Sequence, residues 1–163
     1  MSQEISIKTA ELLVSHGDVI IETGSIGSCI VIALYDEEAK IGGMAHAMLP
    51  TRKSPKPETE ELSNEPGNTS ARYADEAIDN LLVLIRQKGG KKENLTAKLI
   101  GGASMFKKLS GDSLGMGHQN TESARTKLMT HGIPIEKEDV GGSSGKMVEF
   151  NLANGVIEVN TKL

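Results

Sequence analysis

Short aliphatic runs separated by Gly, Ser and Asp fill the first third of the chain, at 10–14, 19–22, 29–35 and 41–47. Such runs predict β-strands. The polar, acidic stretch 36–40 predicts a hairpin turn, so that the last two strands run antiparallel. Over 70–88 the apolar positions change to helical spacing, with Ala74, Ala77, Ile78, Leu81, Leu82 and Ile85 on one face and Gly89 and Gly90 as the stop. A strand is predicted at 95–100. A second helix is predicted to begin with Asn120 as its cap, to turn Ala124, Leu128 and Met129 inward, and to end at Gly132. Strands at 133–140, 147–152 and 156–159 complete the pattern, with Asn154-Gly155 as the hairpin between the last two. Strands, helix, strand, helix, strands, without regular βαβ alternation, predict an α/β sandwich in which two principal helices pack on a mixed sheet.

One segment breaks the pattern. Residues 51–70 hold Pro55, Pro57 and Pro66 in a polar setting, which disfavours both helix and central strand and predicts a long mobile loop. Two uses for it stand side by side: a lid over neighbouring chemistry, and a surface insertion tolerated because long loops cost little.

The length of 163 residues fits a single domain over 1–163 with one core. Only 2% of residues are aromatic (Tyr35, Tyr73, Phe106 and Phe150), so that core is expected to be aliphatic. A lone cysteine allows no internal disulfide, and no N-terminal stretch reads as a secretion signal, which leads us to expect a cytoplasmic protein. No run approaches the roughly 18 apolar residues of a membrane span. Interspersed charges with a net of −4, and no aromatics interleaved with Lys or Arg, give no support to nucleic-acid binding. A protein surface or a small molecule is the expected partner. His16, His118 and His131 have no Cys or carboxylate at metal-ligand spacing and are assigned to surface or loop positions, with no metal expected.

The candidate chemistry begins at Cys29, which ends a turn of sequence Thr-Gly-Ser-Ile-Gly-Ser-Cys over 23–29, and continues at His46, seventeen positions on. A thiol and an imidazole are the minimum equipment for acyl transfer on an amide. The hairpin brings the second strand back toward the thiol. Taken alone, Cys29 reads equally as a small buried hydrophobe opening a strand, and His46 as a satisfied core histidine. Thr23 reads as a strand-end threonine favoured for its β-branch. The glycines before Cys29 let the backbone turn sharply, making the Ser28 and Cys29 N–H groups candidate oxyanion donors. The Gly-Gly-Ala-Ser-Met-Phe stretch over 101–106 lacks the spacing of a phosphate loop and is read as a tight strand exit, with Ser104 a candidate substrate contact. Tyr73 reads as a ring packed on the sheet.

Six blocks in order then carry a resemblance: 23–29, Ala-His-Ala-Met-Leu-Pro over 45–50, Arg-Tyr-Ala-Asp over 72–75, 101–106, Gly-His-Gln-Asn over 117–120, and Gly-Gly-Ser-Ser-Gly over 141–145. Together they resemble the CheD family, the chemoreceptor glutamine deamidases of chemotaxis. The resemblance implies a three-layer α/β fold with mixed, largely antiparallel sheets. It implies a cofactor-free amidohydrolase acting on glutamines of methyl-accepting receptor helices, and regulation by the CheC phosphatase. By position it makes Cys29 the nucleophile, His46 the general base and Thr23 the third member.

The chain departs from the family pattern at Gln119 and Lys146, where arginines are expected, and glutamine keeps neither the charge nor the planar fork. Two rival functions follow from the same residues: a chemotaxis binding module that works mainly by engaging CheC or receptors, and a different cysteine hydrolase such as a peptidase or transglutaminase.

Overall fold

The computed structural model describes residues 2–104 and 115–162. Nine strands and two α-helices follow one another as β1 (Gln3–Ser6), β2 (Leu12–His16), β3 (Val19–Ile26), β4 (Ile30–Asp36), β5 (Ile41–Ala47), α1 (Ala74–Gln87), β6 (Leu95–Gly101), α2 (Met116–Thr130), β7 (Ile135–Val140), β8 (Gly145–Asn151) and β9 (Val156–Lys162) among the described residues. They form two sheets, of order β1-β3-β8-β9 and β2-β5-β4-β6-β7. Only β1 with β3 and β6 with β7 pair in parallel. The mixed α/β class expected from the pattern, with the largely antiparallel pairing that the resemblance implies, is therefore what the chain adopts.

The layering follows from strand alternation. In β4, Ile30, Ile32 and Leu34 face the helices, while Val31, Ala33 and Tyr35 face the other sheet. Every residue of β4 and β5 is buried, as expected for strands covered on both faces. Helices, five-stranded sheet and four-stranded sheet make three layers with two apolar cores, where the sequence predicted one. The doubling arises because β3 and β8 belong to a second sheet, a separation that hydrophobic alternation cannot reveal.

Strand β1 is not visible in the hydrophobic pattern because three of its four residues are exposed. It lies parallel to β3, and the pairing continues into Ile7, whose N–H donates to Glu22 O at 2.8 Å. Helix α1 begins four residues later than its spacing predicts. The backbone of 71–73 is held in extended form instead: Ala71 N–H donates to Ala10 O, and Arg72 O accepts from Met48 and Leu49. Helix α2 begins five residues earlier than predicted, with Gly115 at its cap and Asn120 inside it.

The segment 51–70 is irregular, as its composition predicts, but it is fastened rather than loose. Strand β2 is an edge strand with free backbone groups, and such edges need cover. Asn64 donates to Val14 O and accepts from Val14 N–H, and Asn68 makes the same pair of bonds with Leu12. Two side-chain amides thus stand in for a sixth strand. Arg52 pins the start of the loop, bonding Glu60 and Glu76 and lying 4.5 Å from the centre of the Tyr73 ring. That ring carries a cation instead of simply packing on the sheet. Asn68→Ala removes four hydrogen bonds at a buried position and should cost about 3 kcal/mol in urea unfolding. An unchanged unfolding midpoint would show that the edge needs no cover.

Candidate active site

The β4–β5 register places Val31 opposite His46, and both lie on the face toward the four-stranded sheet. Cys29 stands one residue before β4, so the strand's alternation sends it to the same face, diagonal to the imidazole. The hairpin geometry expected from the sequence is present. Cys29 is half-buried.

The third residue arrives from the other sheet. In β3, Thr23 and Ile26 are both buried although three positions separate them, which regular alternation forbids. A bulge solves the conflict: Thr23 pairs with Val148 and Ile26 with Lys146, so β3 holds one residue more than β8 between those points. Ser25 absorbs the extra residue at φ 57°, in the left-handed region. The bulge keeps Thr23 aimed between the sheets while steering the following turn toward Cys29.

Thr23 Oγ1 lies 2.7 Å from His46 Nδ1 and donates its proton to Ile7 O at 2.8 Å. A hydroxyl has one proton, and a carbonyl can only accept. With that proton committed to Ile7, the oxygen must accept from the imidazole, which fixes the proton on Nδ1 and leaves a lone pair on Nε2. His46 is fully buried, and its Nε2 has no hydrogen-bond partner among the described residues. A buried unpartnered acceptor is costly and calls for an explanation. The sequence singled out Thr23 but missed Ile7, because a carbonyl leaves no side-chain signal.

Burial holds the imidazole at a pKa of about 4, well below its ordinary 6.5. Burial also pushes the Cys29 thiol above its ordinary 9.0, against a smaller opposing pull from its own backbone N–H. Both shifts favour the neutral pair over thiolate and imidazolium, so proton transfer is expected to accompany attack on a substrate rather than precede it. Labelling of Cys29 by iodoacetamide should accordingly rise with a midpoint above pH 9. A midpoint below neutrality would contradict the neutral pair. Stability should show the histidine too. Between about 4 and 6.5 the unfolded chain binds the extra proton, so stability is complete above that window and falls as pH drops through it, by about 3 kcal/mol in all. His46→Gln should remove that portion of the pH dependence.

The turn carrying Cys29 is held from below. Gly102 N–H donates to Cys29 O at 2.7 Å and Ala103 N–H to Gly27 O at 2.9 Å. The Ser28 and Cys29 N–H groups donate to no backbone carbonyl among the described residues, as oxyanion donors require. Ser104 is exposed, and its N–H donates to Gly142 O. Met105 and Phe106, which complete that block, lie outside the described residues.

Lys146, at an expected arginine position, is buried and bonds Asp139 through both its carboxylate and its carbonyl, joining β8 of one sheet to β7 of the other. Gln119, the other departure, is exposed on α2. His16 and His118 are exposed as expected, and His131 at the end of α2 bonds Asp79 at 2.8 Å. Asn120, read from sequence as a cap, donates to Ser28 O at 2.8 Å and Met48 O at 3.2 Å.

Comparison with known proteins adds to this geometry. The family model described as CheD chemotactic sensory transduction matches residues 48–161, a span that starts after His46. Whole-length relatives cover the rest. The protein named probable chemoreceptor glutamine deamidase CheD of Geobacillus kaustophilus is 36% identical, over 98% of this chain and 93% of its own. That of Desulfitobacterium hafniense is 39% identical, over 99% and 95%. The chemoreceptor glutamine deamidase CheD of Halalkalibacterium halodurans is 37% identical, over 99% and 95%. No helix among the described residues is long and apolar enough to cross a membrane. A model match over most of the chain and relatives alike from end to end point one way: this chain belongs to the CheD family.

Proposed function

We propose that this chain, acting as one domain over 1–163, hydrolyses the side-chain amide of glutamines in chemoreceptor helices, with Cys29 as nucleophile, His46 as base and Thr23 as the residue that orients the base. The observation that carries the reading is the Ile7–Thr23–His46 chain, which presents an unpartnered Nε2 on the face that the half-buried Cys29 shares. The names of the relatives support the substrate class.

In the reaction, Nε2 takes the Cys29 proton as sulfur attacks the carboxamide carbon, and the Ser28 and Cys29 N–H groups receive the developing oxyanion. Collapse expels ammonia, which leaves with the proton from Nε2, and a thioester remains. Water, deprotonated at the same nitrogen, opens the thioester to give glutamate and the thiol. The transient imidazolium faces a neutral hydroxyl rather than a carboxylate, and a modest turnover is expected. Ser104 serves in this proposal as a contact at the rim. A substrate on receptor cytoplasmic helices fits the cytoplasmic location expected from the sequence, and CheC is the regulator that the family resemblance supplies.

Incubation with a purified receptor cytoplasmic domain, followed by ammonia assay and peptide mass mapping, tests the reading. Glutamine converted to glutamate in an intact chain supports it. Cleavage or cross-linking would favour another cysteine hydrolase, and no product together with CheC binding retained in Cys29→Ala would favour a binding module.

A further inference from the structure

We infer that Asn120 is a positioning residue for the proposed reaction, its carboxamide tying together the two chain segments that carry the thiol and the imidazole. The inference rests on the Cys29–His46 reading and extends it to a third element, helix α2.

The geometry is specific. Asn120 is fully buried, and its two N–H groups are both spent, one on Ser28 O, directly before Cys29, and one on Met48 O, two residues after His46. Those carbonyls belong to segments that leave the five-stranded sheet at the same end, where the ladder between β4 and β5 stops at Ile30 and Ala47. Beyond that point no strand pairing sets the distance between the turn and the exit. Asn120 bridges the gap. Ser123, one turn further along α2, adds a bond to Pro50 O, but Asn120 is the residue that reaches both segments.

The remaining atom argues for the same role. Oδ1 of Asn120 is buried and has no partner among the described residues. Turning the amide over would set that oxygen against two carbonyl oxygens, so the present orientation is the one the neighbours enforce. An apolar side chain would avoid burying Oδ1, and the amide is explained by what its nitrogen holds.

Helix α2 is built to deliver it. Gly117, Asn120, Thr121, Ala124 and Leu128 form the buried face. A Cβ on Gly117 would stand 2.4 Å from Ala103 O and 2.5 Å from Gly102 O, so only glycine lets the helix start against the segment after β6 that supports the Cys29 turn. Asn120 follows one turn later on that face.

The test separates positioning from bulk stability. Asn120→Ala and the milder Asn120→Ser, which keeps one donor, are compared with the native protein for melting behaviour, for kcat and KM on a receptor domain, and for the pH dependence of iodoacetamide labelling at Cys29. Positioning predicts that kcat falls about 30- to 300-fold in Asn120→Ala with KM within threefold, and less in Asn120→Ser. It also predicts that the labelling midpoint drops toward that of a free thiol, because a loosened turn is better solvated. A protein more reactive to a small alkylator yet slower on its substrate is not what simple destabilisation gives. A labelling profile superimposable on the native one in either folded variant overturns the inference, as does kcat within threefold of native in Asn120→Ala. If the native protein releases no ammonia, the deamidase reading fails while the labelling comparison still decides the clamp.

Discussion

Cys29→Ala should reduce deamidation of a receptor domain by at least about three orders of magnitude, with His46→Gln close behind. In the proposed reaction the thiol supplies the bond-forming electrons, and it is the one cysteine in the chain. His46→Gln leaves an amide able to bond Thr23 but with no nitrogen lone pair to accept the sulfur's proton. Because both act in a single step, the double variant should be no slower than the worse of the singles, since a base without a nucleophile contributes nothing. Both variants should remain folded, as neither adds volume between the sheets. Activity within tenfold of native in either would remove these residues from the reaction.

Gly101→Ala should be the most damaging substitution to the scaffold beneath the site. Gly101 has φ 116°, a conformation that side chains rarely adopt, and a Cβ there would meet Cys29 O at 2.4 Å and Ile26 Cγ2 at 2.7 Å. The Cys29 carbonyl cannot step aside, because it is held by Gly102 N–H. Strain and overlap together should cost about 3 kcal/mol, which for a chain of this length lowers Tm by roughly 6–12 °C. Any relief must come from moving the backbone of Cys29, so under the proposed reaction kcat should fall by about 10- to 100-fold as well. Gly17→Ala is the comparison: φ is 74° but nothing lies within 4 Å, so a smaller stability loss and unchanged kcat are expected. Equal effects at the two glycines would show that the close approach under Cys29 does not matter.

The candidate site was partly legible because its chemistry sits in side chains and its register in a hairpin. Cys29 and His46 are rare residue types at a spacing that the 36–40 turn converts into proximity, and Asp36, which accepts from Ala39 N–H, helps close that turn. Thr23 was legible only through the family resemblance, for its own strand gives no reason to face His46. The bulge at Ser25 turns it inward, and a serine at a left-handed φ does not announce itself in a sequence. Asn120 was visible but misread, because an asparagine near a helix start has the same local signature whether it caps the helix or reaches across to other segments. The 51–70 segment was correctly read as irregular, but its attachment through Asn64 and Asn68 is a long-range pairing with no local trace.

By itself, the sequence determined the strands from β2 onward, the two helices to within a few residues, the β4–β5 hairpin, and the thiol and imidazole it brings to one face. Local patterns suffice there because alternation, helical spacing and turn residues act over a handful of positions. Only the tertiary structure decided which strands share which sheet, that Ile7 fixes the imidazole tautomer through Thr23, and that an amide on α2 spans the two segments carrying Cys29 and His46. Each of those depends on backbone carbonyls and on neighbours far apart in the chain, and a carbonyl is the same at every position of a sequence until folding gives it a partner.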